Sequence, residues 1–396
     1  MRGISKLNVK GKKILLRVDI NCPVENGKIV PGPRIAAHAE TIKILSGHGA
    51  RVIIFAHQGR KGKPDFLSLE QHARELHHII KKDVAFVDDV VGSAAKEAIA
   101  KMNDGDVLLL DNVRRLSCEE TPHECLIVKE LAPLADYFVL DALSVAHRKH
   151  SSVIGFEKRL PSFAGHQLEA ELEALDKVKH SKDLTFVLGG SKVEDSFAIM
   201  RKWLSEGRVR KVLVAGALAT LLLHAKGYNV GGSMEFLDVS SMESHCSEAK
   251  KMLEEFGDRI MLPVDVGLSI DTKRHDTDVG HIDKGLIWDI GPKTAKMYAQ
   301  EIYDSHTIVM NGPAGVYEVE EFSSGTRAIL EAIERCDAFS LIGGGHTITA
   351  IEKFNLKKEH FGYISLSGKA LIEYLSGHEL PGLKSLEENE RHFPLK

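Results

Sequence analysis

Charged and imidazole side chains recur directly after short apolar runs in the first part of this 396-residue chain. Arg17, Asp19 and Asn21 follow residues 14–16, and His57, Gln58, Gly59 and Arg60 follow residues 53–56. Asp111, Asn112, Arg114 and Arg115 follow residues 108–110. Asp141 follows residues 139–140, with His147, Arg148, Lys149 and His150 starting six residues on. Arg34 stands where a helix opens after a Pro-Gly-Pro turn. A guanidinium offers a planar fork of donors to carboxylate or phosphate oxygens, so several on one edge suit a small, multiply charged anion. One arginine alone is as readily a solvated surface residue. Arg17, Arg34, Arg60, Arg114 and Arg148, placed one after another at the ends of successive runs, are not explained that way. The later part puts glycine where the earlier part puts charge. The turns are Gly189-Gly190-Ser191-Lys192, Gly216-Ala217, Gly291-Pro292-Lys293-Thr294, Asn311-Gly312-Pro313 and Gly343-Gly344-Gly345-His346-Thr347. Glycine lets the backbone approach a ligand closely, and free N–H groups at a following helix start favour phosphate. Repeated through one half of the chain, such turns point to a nucleotide platform.

The elements that must hold these residues are legible from periodicity. Apolar runs at 14–18, 52–56, 84–87, 107–110 and 137–140, then at 184–188, 212–215, 306–310 and 338–342, are continuous and β-branched. That pattern predicts strands buried on both faces of a parallel sheet. Helical patterns such as 33–48, 68–81 and 92–101 lie between them, giving α/β architecture with two doubly wound parallel sheets. The stretch GHQLEAELEALDKVKHSK (165–182) carries apolar residues at 168, 172, 175 and 178, a helical stripe. Net charge changes sign there, from +5 over residues 1–165 to −9 over residues 166–396. The stretch is therefore read as an interdomain helix between domains 1–164 and 183–370, with 371–396 as a tail that packs back toward the first domain.

Composition and missing motifs exclude several classes. A hydrophobic fraction of 43% and a charged fraction of 27% describe a folded globular chain, and a net charge of −4 is not that of a nucleic-acid binder. The longest apolar stretch, 212–225, is too short for a membrane span and is interrupted by Gly216 and His224. Only a brief apolar run precedes Arg17, so no signal peptide is expected. The five cysteines make no CxxC pair, which predicts a reducing, cytoplasmic compartment and no zinc site. His147 and His150 have no acid or cysteine at metal-ligand spacing, so they are read as donors to an anion or a carboxylate, and no protein metal site is expected. GxxxxGK[ST], a GxGxxG fingerprint with its acid, HRD and DFG, and a nucleophile elbow are all absent.

Together these segments resemble the phosphoglycerate kinase family over almost the whole chain. The likeness rests on RVDINCP (17–23), the PR-I start at Arg34, AHQGR (56–60), LLDNVRR (109–115), DALSVAHRKHSS (141–152), LGGSKVEDS (188–196), DIGPKT (289–294), NGPAGVYE (311–318) and IGGGHT (342–347). HQGR, KVEDS and GGGHT are similar to its archaeal branch. The resemblance implies two doubly wound domains joined by a hinge, acting as a monomer in glycolysis and gluconeogenesis. The first domain would take 3-phosphoglycerate or 1,3-bisphosphoglycerate, and the second ADP or ATP with Mg²⁺. By the same resemblance, Asp19 and Asn21 bind the glycerate. His57, Arg60, Arg114 and Arg148 grip the remote phosphate, Gln58, Gly59 and His147 join the substrate site, and Arg34 faces the reacting carboxyl and phosphoryl group. Lys192 approaches the transferring phosphate, and Glu318 meets the ribose. Gly189, Gly190, Gly216, Asn311, Pro313, Gly343, Gly344, Gly345, His346 and Thr347 form the nucleotide site.

The chain also departs from the family pattern. His346 replaces an acid that contacts magnesium in many members, and a glycine-rich late segment reads Leu366-Ser367-Gly368-Lys369-Ala370. Ser196 stands where a second lysine is frequent, and Arg115 where an aromatic is. The altered 366–370 segment keeps a non-catalytic, anion- or nucleotide-binding relative as the alternative reading.

Overall fold

The computed structural model describes residues 1–236 and 242–394. It divides into two compact units, Met1–Glu173 with Glu379–Lys396, and Ala174–His378. The division falls inside a single helix, His166–His180. Leu395 and Lys396, the end of the expected tail, lie outside the described residues.

The first unit is built on a six-stranded sheet in the order Ala85–Val87, Val107–Leu110, Arg51–Phe55, Lys13–Arg17, Tyr137–Leu140 and Ser162–Ala164. Every pairing is parallel. The central strand carries Ile14, Leu15 and Leu16 with no exposed surface, as strands covered on both faces require. Helices Pro33–Gly47, Glu70–Ile80 and Ser93–Ala100 supply cover. Proline opens the first of these, where its missing N–H has no intrahelical partner to lose. In the second, His72, Ala73, Leu76 and Ile80 form the buried stripe.

An edge strand leaves a row of unpaired backbone groups that must be covered. Here both ends of the chain cover Ser162–Ala164. Ala164 donates its N–H to the Arg2 carbonyl at 2.9 Å, and Gly3 bridges to Ala164 in parallel. On the returning helix Pro381–His392, buried Asn389 accepts the Ser162 N–H at 2.8 Å. Its amide donates to the carbonyls of Glu157 and Leu160 at 2.6 and 2.8 Å, and Arg2 Nη2 donates to its Oδ1 at 3.0 Å.

The second unit repeats the plan. Its parallel sheet runs Ile260–Met261, Val209–Val214, Leu184–Leu188, Thr307–Asn311, Phe339–Gly343, Tyr363–Ile364. Strand Leu184–Leu188 is buried at every residue. A second, antiparallel sheet of Lys273–Asp278, Asp265–Ile270 and Leu286–Ile290 stands beside it.

The cysteines depart from expectation. Cys118 and Cys125 form a disulfide, while Cys22, Cys246 and Cys336 are free. A separation of seven residues matches no pairing motif, and only the folded loop brings the two thiols together. No described helix is long and apolar enough to cross a membrane. Thiol titration of the unfolded, unreduced protein should find three reactive groups, and five after reduction; five without reductant would contradict the pairing.

Candidate functional site

In the first unit, polar chemistry begins where the strands end. Asp19, two residues beyond Lys13–Arg17, is buried, and Ser144 Oγ donates to its Oδ2 at 2.5 Å. Arg34, at the start of the 33–47 helix, places Nη1 3.2 Å from the same oxygen. Burial opposes ionisation of Asp19, but the facing Arg34 and the Ser144 hydroxyl outweigh it, and the carboxyl titrates far below its ordinary range. Asn21 Oδ1 accepts the Gly59 N–H at 2.8 Å, tying the two strand ends together. Gly59 has φ +63°, and a Cβ there would lie 2.0 Å from the Asp65 carbonyl oxygen, so only glycine fits this turn.

Arg17 was read from sequence as one of the strand-end charges and given no role. It is among the largest fully buried side chains in the molecule. Its Nε donates to Ser152 Oγ at 3.0 Å, its Nη1 to the Val18 carbonyl, and its Nη2 lies 3.2 Å from His57 Nδ1. Burial pushes its pKa down to about 10, against the pull of Glu119 and Asp19, so it stays charged at neutral pH. A guanidinium only donates. His57 Nδ1 therefore accepts, and the imidazole proton sits on Nε2. Burial, reinforced by Arg17, Arg114 and Arg148, holds the His57 pKa well below its ordinary value despite Asp19. His57 is thus a neutral donor with a fixed tautomer.

Three further arginines share this edge. Arg114 Nη1 donates to the Gly59 carbonyl. Its pKa is lowered first by burial, then by Arg148 and Arg60. Arg148 and Arg60 are therefore each close enough to repel Arg114. Arg148 Nε is buried and has no hydrogen-bond partner. His147 is half-buried beside it. His150 faces a carboxylate, with Nδ1 3.6 Å from Glu119 Oε1, and burial pushes its pKa down to about 4. Glu119 accepts from the hydroxyl and backbone N–H of Ser152, which braces the segment behind Arg148. Arg115 points elsewhere, to Asp88 and Asp111. Gln58 also differs from its neighbours. It is fully buried, and its carboxamide is engaged by Cys22, Asp65 and His72, leaving none of its polar atoms for a ligand.

In the second unit a cavity of about 380 Å³ opens at the strand ends, with Gly190, Gly216, Pro313, Glu318 and His346 in its wall. The glycine turns lock together around it. Gly189 donates to the Asn311 carbonyl at 3.0 Å, Gly190 to that of Pro313 at 2.8 Å, and Ala217 to that of Gly190 at 2.9 Å. Gly312 has φ +86°, and a Cβ there would lie 2.4 Å from the Gly189 carbonyl oxygen. Its N–H donates to buried Thr347 Oγ1 at 3.1 Å. Ser191, Thr220, Ser233 and Asp289 add polar groups to the wall, and most of the remainder is apolar. Leu223 comes from helix Gly216–Ala225, and Val266, Leu286 and Trp288 come from the antiparallel sheet.

Gly189, Lys192, Asn311, Gly343, Gly344, Gly345 and Thr347 do not line the cavity. They stand on the adjoining strand ends and helix starts, with Lys192 exposed at the head of Val193–Ser205 and Gly345 opening Gly345–Lys353. His346 Nδ1 lies 3.4 Å from Glu318 Oε1. Among the described residues no three His, Cys, Asp or Glu side chains converge to hold a metal ion.

Two doubly wound parallel sheets in one chain, each with its polar residues gathered at strand ends, define an α/β protein of two units. Solved structures of this class cover the chain almost completely. Phosphoglycerate kinase from Pyrococcus horikoshii matches with a TM-score of 0.91 at 35% identity, over 99% of this chain and 100% of its own. That from Coxiella burnetii gives 0.84 at 33%, over 98% of each. The phosphoglycerate kinase of Methanothermobacter thermautotrophicus is 43% identical across 402 residues, 99% of this chain and 97% of its own length. The chain belongs to the phosphoglycerate kinase family, whose sequence profile matches residues 4–378.

His72 and His150 have folded-state pKa values near 4 against an ordinary 6.5. Above pH 6.5 both folded and unfolded forms are neutral, so stability is unaffected. Between 6.5 and 4 the unfolded chain binds protons that the folded one refuses, so stability falls with pH by up to about 1.4 kcal/mol per pH unit for each imidazole. Urea unfolding of His72→Phe should therefore show a shallower loss over that interval than the parent, and parallel profiles would contradict the assignment.

Proposed function

We propose that this chain transfers a phosphoryl group reversibly between the acyl phosphate of 1,3-bisphosphoglycerate and ADP, giving 3-phosphoglycerate and ATP. The first unit takes the acid and the second the nucleotide. One observation carries the acid site: Arg148 and Arg60 both repel Arg114, whose guanidinium bonds the Gly59 carbonyl beside Asn21. Like charges gathered at one strand edge favour a ligand carrying several anionic oxygens. His57 adds a neutral Nε2–H donor, and Asp19 and Asn21 can accept from or donate to the hydroxyl and carboxylate of a glycerate.

Phosphoryl transfer asks mainly for alignment, exclusion of water and stabilisation of spreading charge. The attacking oxygen is a carboxylate in one direction and a phosphate in the other, both ionised at neutral pH, so no general base is needed. Arg34, held by Asp19, is placed to meet the reacting carboxyl and the charge that develops on the phosphoryl oxygens. Lys192 and the helix starts after Gly189-Gly190 and Gly343–Gly345 offer cation and backbone N–H groups to the nucleotide phosphates. The apolar wall with Trp288 suits a base, and Glu318 suits ribose hydroxyls. Because acid and nucleotide are assigned to different units, transfer also requires a hinge motion.

Magnesium is the group least served by the chain. It prefers oxygen donors, and the side chain after the triple glycine is an imidazole paired with Glu318. The described residues do not make a resident magnesium site, so the cation is read as arriving with the nucleotide, and no step is derived through it. The non-catalytic alternative finds no support in the acid site, where Arg34 keeps the carboxylate partner that orients it.

A coupled assay of ATP-dependent phosphorylation of 3-phosphoglycerate tests the reading directly, and no turnover would overturn it. Within that assay, Arg114→Ala should raise KM for 3-phosphoglycerate by about 10- to 100-fold, equivalent to roughly 1.4–2.8 kcal/mol. Arg34→Ala should instead lower kcat strongly with KM for ATP little changed. Equal effects of both substitutions on both parameters would defeat the division of roles.

A further inference from the structure

The loop bearing His57 and Arg60 hangs on a carboxamide that the proposed reaction does not use. Gln58 Oε1 accepts the Cys22 N–H at 2.9 Å and lies 3.1 Å from His72 Nε2. Its Nε2 donates to the Cys22 carbonyl at 2.9 Å and to the Asp65 carbonyl at 3.1 Å. Two bonds accepted and two donated saturate a carboxamide. The Cys22 backbone settles which end is oxygen, since its N–H only donates and its C=O only accepts. His72 must then donate through Nε2. It is fully buried on the Glu70–Ile80 helix, so the amide is oriented from a rigid element.

Two of the three partner residues of Gln58 join it to residues assigned to the acid, since Asp65 Oδ1 also accepts the Arg60 N–H at 3.2 Å. Cys22 follows Asn21, and Asp65 closes the loop that begins at His57. The backbone around Gln58 is held as firmly. Asn112 Nδ2 donates to the Gln58 carbonyl at 2.7 Å, Asn21 takes the Gly59 N–H, and Arg114 donates to the Gly59 carbonyl. Only the side chains of His57 and Arg60 remain for a ligand. An apolar residue at 58 would strand two groups of Cys22, the Asp65 carbonyl and the His72 N–H.

We propose that Gln58, oriented by His72, is a positioning residue for the acid subsite: it fixes the 19–22 strand end against the 57–65 loop, so that Asn21, His57 and Arg60 are set before the ligand arrives. Pre-organisation of this kind lowers the ordering cost at binding without any contact to the substrate. The proposal rests on the reading of the first unit as the acid site.

The test uses the full chain with 3-phosphoglycerate and ATP varied separately. Gln58→Leu should raise KM for 3-phosphoglycerate about 5- to 50-fold, and His72→Phe a few-fold, each leaving KM for ATP within twofold. In the Gln58→Leu/His72→Phe double variant the combined rise should be clearly smaller than the product of the single rises, because both remove one bond. If Gln58→Leu fails to fold, His72→Phe alone carries the substrate split. An unchanged KM for the acid, parallel rises for both substrates, or a double variant equal to the product would overturn the proposal. Failure of the underlying reading looks different: the unsubstituted chain would show no turnover of 3-phosphoglycerate.

Discussion

A strand covered by helices on both faces cannot carry a polar side chain along its length without stranding it in apolar surroundings. That constraint organises both units. Ile14, Leu15 and Leu16 are fully buried, and residue 17 is the first that can reach a polar partner. Leu184–Leu188 is buried throughout, and its one polar side chain, Thr185, is not stranded because Ser305 Oγ donates to it at 2.7 Å. Because all neighbouring strands run the same way, their ends lie along one edge. Residues dozens of positions apart in sequence, such as Asp19, His57, Arg114 and Arg148, become neighbours for that reason alone.

On that edge the two units solve the same electrostatic problem differently. The first crowds guanidiniums and stabilises them from behind. Glu119 is buried beneath Arg17 and the 150–152 turn, and burial raises its carboxyl pKa even though Ser152 and Arg17 pull the other way. Like charges are thereby held in place without being neutralised, and a net attraction for anions remains on the open side. The second unit uses few cations. Its glycine turns bond to one another, Gly189 to the Asn311 carbonyl and Gly190 to that of Pro313, and Gly312 donates to Thr347. Net charge divides in the same sense, since residues 174–378 hold 24 Lys and Arg against 29 Asp and Glu, a net of −5, and the first unit carries +1.

Much of this could be read before any coordinates. The continuous runs at 14–18, 52–56 and 184–188 fall on strands Lys13–Arg17, Arg51–Phe55 and Leu184–Leu188, because full burial leaves a run of apolar residues with no alternation to confuse it. The strand-end residues could be found as whatever follows each run. Less visible were features set by long-range contacts. Strand Lys273–Asp278 is KRHDTD, mostly solvent-facing, and carries no apolar signal. The apolar cavity wall from Val266, Leu286 and Trp288 depends on that missed sheet. Gln58 sits within AHQGR beside His57 and Arg60, and only its four hydrogen bonds distinguish a buried brace from a contact. The Cys118–Cys125 bond and the covering of Ser162–Ala164 by Asn389 join residues whose spacing matches no local rule.

The chain leaves the first unit at residue 173, builds the whole of the second, and returns at 379. During synthesis, therefore, the second unit emerges as one uninterrupted stretch and can close its own core as soon as it clears the ribosome. The first unit cannot. Its edge strand waits for Asn389, made after the whole of the second unit, to satisfy the Ser162 amide and the Glu157 and Leu160 carbonyls. The order of translation is thus the reverse of the order of completion, and a nascent chain stopped short of the closing helix would hold one finished unit and one with an open flank.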